Sequence, residues 1–117
     1  SSVAGVRGIG SSIAYAASKG ALNTATMSLA RALGKDKIRV NAVCPGFVGT
    51  DWFLNAFGEK VFNQISDDVK AITPMDQVAG AKDITGPILF FASRFSQHVT
   101  GQLLVVDGGM LLGMPAN

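Results

Sequence analysis

The sequence predicts an α/β layer architecture, and three observations carry that expectation. The stretch from Ser12 to Gly34 contains no proline, "IRVNAVC" (38–44) and "GQLLVVDGG" (101–109) are apolar, β-branched runs, and long helical segments separate the two runs. Strands buried on both faces read as near-continuous apolar runs, as strands of parallel sheets do. The right-handed crossover rule then makes Ile38–Cys44 and Leu103–Val106 parallel neighbours.

In chain order, the opening "SSVAGVRGIGSS" reads as the far end of a strand followed by a loop, and with no initiating Met the chain is expected to begin in mid-domain. Gly5, Gly8 and Gly10 are spaced by three and two, which fits neither arrangement of a dinucleotide-binding glycine loop, so they are expected to serve a flexible loop. Across Ser12–Gly34, Leu22, Met27, Leu29 and Leu33 recur broadly at helical spacing, and one long helix should end near Gly34. Its other side carries Ala17, Ala21, Thr24 and Ser28, a small-residue stripe expected to let the sheet or a second helix approach closely. "KDK" (35–37) is a polar turn, and Pro45-Gly46 stops the first strand. From Phe47 to about Ile72, Trp52, Phe53, Leu54, Phe57, Val61 and Phe62 suggest short helices with one apolar side, a cover rather than a core element. Ala81–Ser93 is a further helix that Gly86-Pro87 should kink or restart. Asp107-Gly108-Gly109 reads as a structural turn after the last strand.

Composition narrows the function. At 117 residues, 48% hydrophobic and 15% charged, the chain suits one small globular domain. A net charge of +2, from ten basic and eight acidic residues, argues against nucleic acid or an anionic membrane surface as partner. No apolar run approaches the ~18 residues of a membrane span. The start of the chain lacks the basic-then-apolar order of a signal peptide. Cys44, alone, can form neither an internal disulfide nor a multi-cysteine metal site; it is expected to be a small buried hydrophobe, and it fits a reducing, cytoplasmic setting. His98 lies in the polar "SQHVTG" segment and reads as a surface residue; no metal-ligand cluster is visible.

"YAASK" (15–19) carries the chemistry. Positions i and i+4 share one helix face, so the Lys19 ammonium can stand beside the Tyr15 phenol or bind a ligand group next to it. A free tyrosine titrates near ~10, and poising one for proton transfer near neutrality takes roughly 4 kcal/mol of differential phenolate stabilisation, which a lysine and a cationic cofactor could supply. Taken alone, the pair reads more readily as an amphipathic tyrosine and a solvated lysine.

The wider pattern "SS…YAASKGAL…IRVNAVCPGFVGT…VTGQLLVVDGG" resembles the short-chain dehydrogenase/reductase family, classical type, over nearly the whole chain. Tyr-x-x-x-Lys is short, but it is joined by a serine thirteen residues upstream, "NAVCPG", "PGFVGT" and "TGQ…VDGG" in the expected order. The resemblance implies the C-terminal part of a Rossmann-like doubly wound parallel sheet, with residues 1–117 as the catalytic and oligomerisation portion of a single NAD(P)-binding domain. It implies an oxidoreductase that uses NAD or NADP to interconvert a secondary alcohol and a ketone, probed by a small-molecule alcohol or carbonyl substrate and assembled as a homo-oligomer, a dimer or tetramer. Tyr15 would be the general acid/base and also contact the cofactor, Lys19 would hold the nicotinamide ribose, and Ser2 would hydrogen-bond the substrate oxygen, with Ser1 a rival one residue too far. The Pro45-Gly46 loop would run under the nicotinamide, where Val48 would meet the carboxamide through backbone atoms and Thr50 through its hydroxyl. Trp52, Phe53 and Phe57 would belong to a substrate lid, with ordinary packing the near-equal alternative.

The family's glycine-rich nucleotide loop, its NAD/NADP selector and its helix asparagine would all precede Ser1, so the nucleotide-binding half is expected to be absent from this chain. Strand 38–44 would then have one apolar, unpaired edge. The alternative to an enzyme is an inactive fragment or non-catalytic relative serving as an interaction module. A hydrolase using Ser2 or Ser12 is a poor reading, since His98 is the only histidine.

Overall fold

A computed structural model of the chain describes residues 1–113. Seven elements follow in order: α1 (Ala4–Arg7), α2 (Ile13–Leu33), β1 (Ala42–Pro45), α3 (Asp51–Phe57), α4 (Glu59–Ile72), α5 (Ala81–Ala92) and β2 (Leu103–Val106), with short 3-10 turns at Gly34–Asp36, Arg94–Ser96 and Met110–Leu112. β1 and β2 pair in parallel, with Ala42 opposite Leu103 and Pro45 opposite Val106, as the two apolar runs predict. Successive strand residues face opposite sides of a sheet. Cys44 meets Asn23 of α2 on one side, while Val43 and Pro45 share a hollow with Ile84, Ile88 and Phe91 of α5 on the other. Helices therefore cover both faces of the two-stranded sheet, the arrangement expected of an α/β fold.

β1 is shorter than the apolar run that contains it. Ahead of Ala42, the backbone turns to loop and side-chain partners: Val40 N–H donates to Thr100 Oγ1 at 3.0 Å, Gly101 N–H to the Val40 carbonyl at 2.7 Å, and Gln102 N–H to Asn41 Oδ1 at 3.0 Å. Arg39 fastens this entry to the end of α5, donating to the Phe91 carbonyl at 2.8 Å and Ser96 Oγ at 3.0 Å. The edge of β1 expected to be bare is partly covered. Ser1 N donates to the Val43 carbonyl at 2.8 Å and Val3 N–H to the Pro45 carbonyl at 3.0 Å, so Ser1–Val3 run alongside β1 in the same direction. The strand-end reading of the first residues holds to this extent, but a short helix, α1, follows instead of a loop.

Gly5 lies inside α1 and is not a loop glycine. A Cβ there would stand 2.6 Å from the Lys19 carbonyl oxygen and 2.7 Å from the Gly20 nitrogen, so only glycine lets α1 rest on the backbone of α2. α2 starts where Ser12 Oγ accepts from the Tyr15 N–H at 3.1 Å, an N-cap, and gives way at Gly34 to a 3-10 turn closed by Lys37 in the left-handed region. Its buried positions are Asn23, Thr26 and Ala30. The expected packing stripe of Ala17, Ala21, Thr24 and Ser28 is exposed, as are Leu22, Met27 and Leu29. The buried side is polar and small: Asn23 meets Cys44 of β1, and the Ala30 Cβ lies 3.5 Å from where a Cβ at Gly101 would stand. Cys44 is fully buried, as expected.

α3 and α4 form the anticipated cover, separated by Gly58 at φ 81°. Phe47, Phe53 and Phe62 cluster beneath them, with ring centroids 5.1 to 6.4 Å apart. α5 runs through Pro87 as one helix and does not restart there; its start is held by Asp83 Oδ2, which accepts from the Gly80 N–H at 2.7 Å. After β2, Asp107 accepts from the N–H groups of Gly109 and Leu111, both at 2.9 Å, while Gly108 and Gly109 take φ of 64° and 90°, the conformation that turn requires. No described helix is long and apolar enough to cross a membrane.

Candidate active site

The carboxyl end of β1 and the turn after β2 open onto a hollow of ≈ 490 Å³. Ser2 enters it from the segment alongside β1, Tyr15 from the first turn of α2, Gly46 from the end of β1, and Phe53 from α3. Ligands of open α/β sheets bind at this carboxyl edge, where loops diverge and the backbone leaves the ladder. Gly46 permits the close passage of the turn after β2, since a Cβ there would stand 3.0 Å from the Asp107 Cβ and 3.7 Å from the Met110 Cε.

Two polar side chains thus reach one apolar space from segments apart in sequence. Ser2 is buried, and its Oγ accepts from the Ala4 N–H at 3.2 Å. A hydroxyl can accept and donate at once, so this local bond leaves the Ser2 proton free for a ligand. Ser1 differs: its hydroxyl donates to the Lys19 carbonyl at 3.3 Å, and it does not line the hollow. Tyr15 is 39% exposed, with its ring toward the opening. The Lys19 Nζ lies over that ring, 5.4 Å from its centroid, a cation–π contact that the i, i+4 spacing allows.

The remaining predicted positions flank this group. Pro45 accepts from Val3 N–H and so fixes the segment that carries Ser2. Val48 pairs with Ala79 in an isolated parallel bridge, in which Gly49 N–H donates to the Ala79 carbonyl at 2.8 Å. In a parallel bridge the neighbours of the central residue make the bonds. Val48's own N–H and C=O are accordingly absent from the backbone bonds found among the described residues. Thr50 precedes α3, yet its hydroxyl does not cap that helix. Neither Val48 nor Thr50 lines the hollow.

Phe47 and Met110 also line the site, and neither was identifiable as a site residue from sequence. Phe47 stands in the "PGFVGT" motif and in the irregular apolar segment without a role of its own, and Met110 reaches the site through a turn whose direction depends on Gly108 and Gly109. His98 is exposed and lines a separate hollow beside Arg39, away from Ser2 and Ser12, so no serine–histidine pair exists among the described residues. No cluster of metal-ligating side chains occurs among the described residues.

Residues 1–111 match the family described as enoyl-(acyl carrier protein) reductase. A 3alpha-hydroxysteroid dehydrogenase of Mediterraneibacter gnavus is 44% identical over 92% of this chain and 41% of its own length. Among solved structures, a short chain dehydrogenase/reductase family oxidoreductase from Burkholderia thailandensis superposes with a TM-score of 0.81 at 36% identity, over 97% of this chain and 43% of that one. A 4-hydroxyisoleucine dehydrogenase complexed with NADH gives a TM-score of 0.82 at 31% identity, over 97% and 45%. The chain spans about two fifths of the length of the curated relatives it matches.

Proposed function

The chain belongs to the short-chain dehydrogenase/reductase family, whose members are NAD(P)-dependent, and we propose that it is the catalytic portion of an oxidoreductase interconverting a secondary alcohol and a ketone. The single observation that carries this reading is that Ser2 and Tyr15 line one apolar hollow while the Lys19 ammonium stands against the Tyr15 ring. We read residues 1–117 as the C-terminal portion of one NAD(P)-binding domain, in keeping with their share of the relatives' length.

The residues present fit the nicotinamide end of NAD or NADP. The uncommitted backbone groups of Val48 and the free hydroxyl of Thr50 suit a carboxamide, Lys19 suits ribose hydroxyls, and the Pro45-Gly46 turn leaves the strand end open beneath them. When bound, the cofactor supplies or takes up the hydride. Tyr15 donates its phenolic proton to the substrate oxygen during reduction and accepts it during oxidation. Ser2 donates a hydrogen bond to the same oxygen, which stabilises the charge that develops there. Lys19 holds positive charge over the Tyr15 ring, where it can meet the ribose.

The matched family description names an enoyl reduction, whereas the hydroxysteroid dehydrogenase is a relative named for a hydroxyl substrate. The relative named for a hydroxyl substrate supports the alcohol/ketone reading, in which the reacting oxygen accepts from both Ser2 and Tyr15. Exposed apolar side chains on α2 and α5, including Leu29 and Leu89, support assembly as a homo-oligomer and also a second reading, an interaction module without catalysis. The lone, buried cysteine agrees with a cytoplasmic setting.

Calorimetric titration of the native protein with NAD(H) and NADP(H) separates the two readings. Saturable binding of one cofactor, weakened at least about tenfold by Lys19→Ala, is the expected result for a group holding the ribose. Absence of saturable binding by either cofactor leaves the interaction module.

A further inference from the structure

Resting on the oxidoreductase reading, we propose that the substrate of this site is an uncharged alcohol or ketone whose carbinol carbon carries a bulky, ring-bearing apolar group, packed against Trp52 and Phe57. The hollow, at ≈ 490 Å³, lies within the range of about 300–1,000 Å³ typical of small-molecule sites. Gly46, beneath the nicotinamide in the proposed reading, lines the inner part, and the outer part beside Trp52 and Phe57 is left to the substrate.

Its lining sets the chemistry. No Asp, Glu, Lys, Arg or His lines it among the described residues; the polar side chains there are Ser2, Ser11 and Tyr15, two of which the reaction uses. Of the charged groups in adjoining segments, the Lys19 ammonium stands over the outer Tyr15 ring and belongs to the cofactor ribose in the proposed reading. Arg7 donates to the Leu111 carbonyl at 3.2 Å, and the Asp107 carboxylate takes the N–H groups of Gly109 and Leu111. A carboxylate or phosphate drawn into this space would lose its hydration with no cationic side chain among those lining it, which disfavours anionic substrates.

The aromatic wall specifies shape. Phe47 and Phe53 meet edge to face at 5.1 Å, Phe53 continues to Phe57 at 4.6 Å, and Phe57 to Trp52 at 6.3 Å, a continuous surface from the interior to the rim. At its outer end, Trp52 is 72% exposed and Phe57 53% exposed. Packing within the chain uses little of these two rings, so the area they hold open is available to the distal rings of a ligand whose oxygen sits between Ser2 and Tyr15.

The test compares 2-decalone with 4-oxocyclohexanecarboxylate, in calorimetric binding to the native protein and in turnover with reduced cofactor. 2-Decalone should bind at least about tenfold more tightly, because only the carboxylate must be desolvated unpaired. Trp52→Ala should weaken 2-decalone binding about fivefold or more, with Trp52→Phe restoring most of it, as expected of a stacking surface. Phe95→Ala, at an exposed position outside the hollow, should leave it within about twofold. Equal or tighter binding of the carboxylate, no binding of 2-decalone, or indifference to Trp52→Ala each overturns the proposal. Failure of the underlying reading looks different: Trp52-dependent binding of 2-decalone without turnover by either cofactor upholds the ligand class and sinks the reaction. Tyr15-dependent turnover preferring the carboxylate upholds the reaction and overturns the ligand class.

Discussion

Ser1 and Ser2 are chemically identical neighbours with different partners, and that difference assigns their roles. Ser1 gives its proton to the Lys19 carbonyl, whereas Ser2 only accepts, from the Ala4 N–H, and keeps its proton for the hollow. Ser2→Ala should lower kcat by about 10²- to 10³-fold, the loss seen when one donor to a developing oxyanion is removed. Ser1→Ala should change kcat by less than about threefold, since Ser1 touches backbone outside the hollow. Steady-state kinetics on both variants decides it, and equal losses would contradict the assignment. Gly5 is equally specific. With the Lys19 backbone in the way of a Cβ, Gly5→Ala should destabilise by about 1–3 kcal/mol in chemical denaturation, the range of an overpacked core, and should move Lys19 as well.

Elements with strong local signals were readable in the sequence, and those decided by neighbours were not. α2 runs from its Ser12 cap to Gly34 as its proline-free pattern implies, and the two strands stop at the expected glycine and proline. The buried side of α2 was misread because hydrophobicity identifies a core face only when the partner surface leaves space for large side chains. Here Asn23 meets Cys44, Thr26 turns its hydroxyl back to the Leu22 carbonyl, and Ala30 faces Gly101. Ser2, Tyr15 and Gly46 were identifiable by motif, while Met110 depends on a turn geometry that glycines permit but do not announce. α5 is one helix, as its sequence suggests, and Gly86-Pro87, expected to kink or restart it, does not restart it; running through Pro87 has a measurable cost. Pro87 removes the N–H that would bond the Asp83 carbonyl, so Pro87→Ala should stabilise by about 1–3 kcal/mol. Gly86→Ala, with open space around its Cβ position, should add about 0.5–1 kcal/mol. Thermal unfolding of the two variants checks both signs.

As a whole molecule, the described chain is elongated, 49 × 32 × 30 Å, with a radius of gyration of 15.5 Å against about 13 Å for a compact domain of this length. Its buried apolar residues are Val3, Ala4, Ala30, Ala42 and Cys44, while Ile13, Leu29, Leu89 and Phe95 stand largely in the open. Apolar surface on this scale is characteristic of protein contacts, so sedimentation of the native protein at micromolar concentration should give a homo-oligomer. Leu89→Glu should shift it toward smaller species. The same account makes the catalytic centre a small polar group set in an apolar wall, where one phenol carries the proton. Ketone reduction by the native protein and by Tyr15→Phe, with cofactor affinity measured on both, tests this most directly. The expected result is a fall in kcat of about 10²- to 10⁴-fold with cofactor affinity nearly unchanged, the signature of a lost general acid. Turnover undiminished in Tyr15→Phe would contradict it.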